Sequence, residues 1–208
     1  MARYGFVVDT TRCIGCNFCS LACKVENNIP DEIWWTKAYT DGGEVEQTPA
    51  GEWPDNLSMA FMTVGCQHCD NPSCVKACPV GATYKDADTG IVRQDMDKCI
   101  GCRMCMAACP YSGVRSFTWE EPKYFLDFPV GSVDAPKHQK GVVEKCTMCW
   151  HRIAKGERPA CADVCRTMAR YWGDFDDPDS EVSKLIRERP YKQLLASEGT
   201  GPCVYYLV

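Results

Sequence analysis

Sixteen of the seventeen cysteines in this 208-residue chain fall into four groups of four, and that arithmetic constrains the fold more than any other feature. The groups are Cys13, Cys16, Cys19 and Cys23; Cys66, Cys69, Cys74 and Cys78; Cys99, Cys102, Cys105 and Cys109; and Cys146, Cys149, Cys161 and Cys165. Only Cys203 stands outside them. It follows Gly201-Pro202 beside an apolar strand and reads as a buried, inert thiol. This density of cysteine is one at which small secreted chains become disulfide scaffolds. Disulfide frameworks, however, scatter their cysteines at spacings set by loop geometry. Here C-x2-C steps recur in every group, and two cysteines three apart aim their sulfurs at one small object rather than at each other.

Groups one and three read C-x2-C-x2-C-x3-C, and group three continues with Pro110. In bacterial ferredoxins this run holds cubane iron–sulfur clusters. A zinc site would need two C-x2-C pairs and no closely following third cysteine. Haem attachment is excluded, because the C-x2-C pairs are followed by Asn17, Asp70, Arg103 and Trp150, not by His. Iron in a cubane is soft enough to prefer thiolate, and each cluster takes four. All sixteen grouped cysteines are therefore candidate metal ligands. Gly15 and Gly101 sit inside two of the tight runs, where a permissive backbone helps.

In two-cluster ferredoxins the fourth cysteine of a run ligates the other cluster of the pair. Applied to neighbouring groups two and three, this rule puts Cys66, Cys69, Cys74 and Cys109 on one cluster and Cys99, Cys102, Cys105 and Cys78 on the next. Groups one and four are left to pair around the outside of the chain. That gives Cys13, Cys16, Cys19 and Cys165 as one set and Cys146, Cys149, Cys161 and Cys23 as the other. Group two is stretched to C-x4-C between Cys69 and Cys74, and group four to C-x11-C between Cys149 and Cys161. Closed cubanes leave no open coordination position, so the chain reads as a series of one-electron centres without a catalytic residue.

The formal charge of −5 comes with no basic stripe, which argues against nucleic acid. No stretch of 18 apolar residues exists to span a membrane. Met1-Ala2-Arg3-Tyr4-Gly5 has neither an apolar signal core nor a twin-arginine pair, so we expect no export address on this chain.

The local pattern predicts a short strand, a cysteine loop and a short helix in each unit. Phe6-Val7-Val8, residues 59–64 and Val142-Val143 read as strands, and residues 21–26 and 147–155 as helices. Residues 83–93 read as a hairpin turning at Asp88-Thr89-Gly90. A helix is expected over residues 180–188 and a final strand at Val204–Leu207. Two stretches interrupt the repeats. The first carries Trp34, Trp35, Tyr39 and Trp53, and the second Trp119, Tyr124, Phe125 and Phe128. Such aromatics either shield clusters from water or form a docking surface.

Lys24, Lys98, Arg103, Lys145 and Arg166 lie beside ligands in sequence. They either tune cluster potentials or are ordinary solvated charges. His68, between two ligands, reads as a surface or hydrogen-bonding histidine rather than a variant ligand, since four cysteines are already available. No Ser–His–Asp set, phosphate loop or paired-carboxylate arrangement stands out.

The complete pattern, with Gly173-Asp174, Asp177-Pro178 and the tail Gly199-Thr200-Gly201-Pro202, resembles the four-cluster iron–sulfur subunits of membrane-associated molybdopterin oxidoreductases. Members serve dimethyl sulfoxide, polysulfide, thiosulfate, tetrathionate and arsenate reductases. The resemblance implies an α+β fold of two pseudo-symmetric ferredoxin-like modules. Residues 1–29 plus 142–175 would carry groups one and four, and residues 57–116 groups two and three. Residues 30–56 and 117–141 would be insertions suited to partner docking, and 176–208 a tail of helix and strand. Nitrate reductase subunits replace the second cysteine of group three with tryptophan and hold a three-iron cluster there. Cys102 occupies that position here, so four [4Fe–4S] clusters are expected.

The resemblance further implies an electron-transfer subunit that passes electrons between a quinol-linked membrane anchor and a large molybdenum- or tungsten-pterin catalytic subunit. Such complexes often sit on the outer face of the cytoplasmic membrane, exported through a signal on the large subunit. A soluble polyferredoxin, or an iron–sulfur subunit of a hydrogenase or formate dehydrogenase, is the alternative. Lys24 and Arg166 depart from the proline that follows the other two groups.

Overall fold

The computed structural model describes residues 2–42 and 48–208. In chain order its elements are β1 (Tyr4–Asp9), α1 (Phe18–Glu26), β2 (Thr36–Thr40), β3 (Phe61–Gly65), α2 (Ser73–Lys76), β4 (Thr83–Lys85), β5 (Val92–Gln94), α3 (Met104–Ala107), β6 (Arg115–Phe117), β7 (Val143–Lys145), α4 (Trp150–Ile153), α5 (Ala160–Asp163), β8 (Arg170–Asp174), α6 (Glu181–Glu188), β9 (Tyr191–Lys192) and β10 (Val204–Leu207). Helices and strands are mixed along the chain, an α+β arrangement.

The largest sheet has the order β8-β1-β10-β9. β1 is central, antiparallel to β8 and parallel to β10. Its apolar run Phe6-Val7-Val8 is buried on both faces, as expected of a strand covered on each side. Successive side chains alternate. Phe6 and Val8 point to a cluster that holds Cys19, Met148 and Cys161. Val7 points the other way, to Tyr171, Phe175 and Val182. β10 alternates in step, with Val204 and Tyr206 on the cysteine side and Tyr205 and Leu207 on the other.

α6 covers the side away from the cysteines. Ser180 caps it, accepting from the Ser183 N–H at 3.2 Å. Val182 packs so closely on β8 that a Cβ at Gly173 would fall 2.9 Å from it. The C-terminal segment is therefore an integral part of the sheet begun by residue 4.

Three antiparallel hairpins complete the fold: β2–β3, β4–β5 and β6–β7. The hairpin expected over 83–93 is present as β4–β5. The first aromatic stretch contributes β2, paired in register with the strand that leads into Cys66. The part of that stretch from Gly43 to Gln47 lies outside the described residues. No helix among the described residues is long and apolar enough to cross a membrane.

Candidate metal centre

Each cysteine run is a loop forced into shape by a few left-handed residues. Gly15 and Gly101 have φ of +66° and +68°. A Cβ at Gly15 would collide with the Phe61 ring, and one at Gly101 with the Gly141 carbonyl oxygen. Asn17 and Arg103 follow with φ of 58° and 59° and open α1 and α3. Upstream, Asp9 and Asp95 stand at matching positions before their runs. The Asp9 carbonyl accepts from the Cys13 N–H at 3.1 Å. The Asp95 carboxylate accepts from the Asp97 and Lys98 N–H groups. Runs two and four keep a left-handed residue at the same place, just before the second cysteine, but there it is His68 and Met148, both fully buried. Pro72 and Pro159 then open α2 and α5, which carry Cys74 and Cys161.

No disulfide joins any of the seventeen cysteines. Cys13, Cys16, Cys19 and Cys165 line one cavity together with Val8, Ile14, Thr63 and Arg170. Cys78, Cys99, Cys102 and Cys105 line a second, with Ile100, Arg103 and Val143. Cys23 lies beside Cys146, Cys149 and Cys161. The Asn27 amide nitrogen stands 3.8 Å from the sulfurs of both Cys23 and Cys149. Cys109 lies beside Cys66 and Cys74, as does Cys69. Cys165, Cys78, Cys23 and Cys109 thus each lie near cysteines of a run other than their own.

Among the described residues, no three His, Cys, Asp or Glu side chains come close enough to hold a single metal ion. The donor set nevertheless suits an anionic polynuclear group. Eight of the soft sulfurs line two cavities in sets of four, and three buried cations stand among the cysteines: Lys145, Arg115 and Arg170.

Burial first and the Cys161 sulfur second push Cys146 and Cys149 up to about 12. A metal that binds thiolate there must displace protons. Cys78 and Cys165 behave differently. Burial works against ionisation at both, but hydrogen bonds outweigh it and hold them below the ordinary thiol value. Those bonds come from the Thr83, Val80 and Ala82 N–H groups at Cys78, and from the Thr167 hydroxyl and the Ala169 and Arg170 N–H groups at Cys165.

The charges expected beside the ligands take varied roles. Lys24 donates to the Pro30, Asp31 and Ile33 carbonyls at 2.7, 2.7 and 3.0 Å and lies over the Trp34 ring. It therefore anchors a loop. Arg103 stacks on Phe117 and Trp119. Lys98 pairs with Asp95 near solvent, and Arg166 is exposed. Lys145 is buried and donates to the Val92 and Cys146 carbonyls.

His68 requires a correction in one respect: it is not on the surface, for its side chain is fully buried, and the Val92 backbone faces its ring. Burial, then the charges of Lys145, Arg115 and Arg170, hold it well below the usual imidazole range and therefore neutral. Cys203 is buried, and burial pushes its thiol up to about 11, which fits an inert role.

The aromatics divide by residue. Trp35 is buried in a cluster with Cys23 and Cys146, against which Cys66 and Cys99 also pack. Trp53, Trp119 and Phe125 are 81%, 64% and 91% exposed.

A polar core lies behind the cysteines that no sequence motif marks. His138 bridges the Glu144 carboxylate at 2.8 Å and the Asn27 carbonyl at 2.9 Å, and the Thr118 hydroxyl donates to the same carboxylate at 2.9 Å. These residues come from separate stretches of chain.

Two family models, each described as a 4Fe-4S dicluster domain, match the chain. One covers residues 57–123 and 131–175, and the other 98–151. A Halobacterium salinarum protein, provisionally named as a dimethyl sulfoxide reductase iron–sulfur subunit, is 49% identical over the whole of this chain and 79% of its own length. This chain belongs to the ferredoxin-type iron–sulfur subunit family. The arsenate respiratory reductase iron–sulfur subunit of Shewanella sp. ANA-3 is 39% identical to it, with 99% of this chain and 96% of the relative covered. The iron–sulfur cluster-binding subunit of menaquinone reductase from Nitratidesulfovibrio vulgaris is 36% identical, covering 99% and 88%. The iron–sulfur subunit thus binds [4Fe–4S] clusters through its cysteines and transfers electrons.

Proposed function

We propose that the iron–sulfur subunit holds four [4Fe–4S] clusters in two pseudo-symmetric ferredoxin-like modules. Cys13, Cys16, Cys19 and Cys165 bind the first, and Cys146, Cys149, Cys161 and Cys23 the second. Cys66, Cys69, Cys74 and Cys109 bind the third, and Cys99, Cys102, Cys105 and Cys78 the fourth. When bound, these clusters supply one-electron centres in series.

The observation that carries the reading is the continuity of the sulfur sets. Cys19 lies beside Cys161, Cys146 beside Cys66, and Cys105 beside Cys74. The four sets therefore follow one another across the molecule with no break between modules. The shared loop geometry of runs one and three, and of runs two and four, supports the pseudo-symmetry.

Both ends of the series open to the surface. Cys16 is exposed beside Ile14 and Phe18, and Cys102 is exposed beside Ile100 and Met104. Apolar rims around the two terminal sets suit two different partners. The family resemblance favours a molybdopterin catalytic subunit at one end and a quinone-linked membrane anchor at the other, and the relatives named as subunits of dimethyl sulfoxide, arsenate and menaquinone reductases agree with a reductase partner. The family resemblance favours the outer face of the cytoplasmic membrane for the complex.

The crossing of ligands is tested by comparing three variants of the purified complex by low-temperature paramagnetic resonance. Under this assignment Cys109→Ser disturbs the same signal as Cys69→Ser. If it instead disturbs the signal lost in Cys102→Ser, the fourth cysteine serves its own run and the assignment fails.

A further inference from the structure

Arg170 is buried, and among the described residues no carboxylate pairs with it. One guanidinium nitrogen donates to the Thr63 hydroxyl at 2.6 Å, and the group lies over the Phe6 ring, 4.3 Å from its centroid. Its Nε has no partner. Arginine does not lose its proton in a protein, so this charge is permanent. A buried charge is tolerated only when a countercharge offsets its lost hydration. The groups available are sulfurs. Arg170 lines the cavity of Cys13, Cys16, Cys19 and Cys165. From its place at the start of β8 it also reaches Cys161 and Cys146, members of the neighbouring set.

Arg115, at the start of β6, repeats the situation in the other half of the molecule. It is buried, it reaches the neutral Gln94 amide oxygen at 3.4 Å and the Cys74 sulfur, and one terminal nitrogen has no partner. The sulfurs around it are Cys74 and Cys66 of one set and Cys105 of the next.

We propose that Arg170 and Arg115 are the built-in countercharges of the clusters, one guanidinium between the two sulfur sets of each module, each raising the reduction potential of both clusters it faces. This rests on the four-set assignment above. Neutral thiols cannot compensate a guanidinium, whereas thiolates carrying a cluster can. Reduction adds a further negative charge to the cluster. A fixed cation nearby stabilises that reduced form more than the oxidised one. Both arginines are positioning residues: they ligate nothing and act through the clusters' electrostatic surroundings. Because each stands between two sets, it couples their potentials rather than setting one of them.

The test is a redox titration of the complex followed by paramagnetic resonance, on Arg170→Gln, Arg170→Lys and Arg115→Gln, with iron content measured first. A wild-type complex with fewer than four clusters defeats the underlying assignment rather than this inference. With full iron content, Arg170→Gln is expected to lower the midpoints of the clusters on the group one and group four sets and leave the other two unmoved. Arg115→Gln should do the converse, and Arg170→Lys should stay near wild type. Unmoved midpoints in both glutamine variants would overturn the proposal. If Arg170→Gln fails to assemble its clusters, assembly of Arg170→Lys supports the need for charge. Equal failure of the lysine variant assigns Arg170 to packing alone and overturns its part.

Discussion

The Asn27 side chain is fully buried at the end of α1, with its amide nitrogen 2.9 Å from the Cys23 carbonyl and 3.8 Å from two cysteine sulfurs. His138 holds the Asn27 backbone from the other side and is itself fixed by Glu144. A neutral donor aimed at ligand sulfurs stabilises the more negative, reduced cluster. Asn27→Leu keeps the volume and removes the donor. We expect it to cost about 1 kcal/mol of stability, the net value of one hydrogen bond. In a redox titration it should lower the midpoint of the cluster on Cys146, Cys149, Cys161 and Cys23 alone. An unchanged midpoint with all clusters present would assign Asn27 to helix termination only. None of this polar core is visible along the chain. Asn27 lies more than a hundred residues from His138 and Glu144, and nothing in the local pattern of each distinguishes it from a surface residue.

Asp9 ties the first cysteine loop to the far end of α6. Its carboxylate accepts from the Thr11 N–H at 3.0 Å and the Thr11 hydroxyl at 2.6 Å. Arg189, just past α6, pairs with it, one nitrogen at 3.3 Å and the other closer. Burial opposes ionisation of Asp9, but Arg189 and Thr11 outweigh it and hold the carboxyl below its ordinary value of 3.8. A depressed carboxyl stabilises the fold fully above the unfolded pKa, and that contribution disappears as the pH falls through the folded one. Arg189→Ala should cost about 1.5–3 kcal/mol, the range for hydrogen bonds to a charged group. The gap in melting temperature from wild type should hold steady down to about pH 5 and close in stronger acid. A gap that widens with acid would contradict the pairing. At this scale the sequence was legible where pattern is local. The β4–β5 hairpin, α6 and the Val204–Leu207 strand all stand where the turn residues, the helix expected over 180–188 and an apolar run put them. The pairing of β2 with β3 was not, because it links strands across a loop of twenty residues.

The whole molecule is a sheet and three hairpins folded around sulfur. Spacing made the sulfurs legible: tight runs with Gly15 and Gly101 at left-handed positions admit little besides a polynuclear cluster. The cations between the sets are not legible in the same way, because they are not neighbours of ligands along the chain. Arg170 and Arg115 lie several positions from the nearest grouped cysteine and reach the sulfurs through strand geometry. The two hydrophobic faces of β1 explain why so short a chain can hold so much inorganic material: one face packs on the cysteine loops while α6 seals the other. The most direct measurement is the iron and acid-labile sulfide content of the anaerobically purified protein. Four cubanes require about sixteen of each per chain, with visible colour and a paramagnetic resonance signal after dithionite. Zinc without sulfide, or half that iron with intact protein, would contradict the four-cluster account.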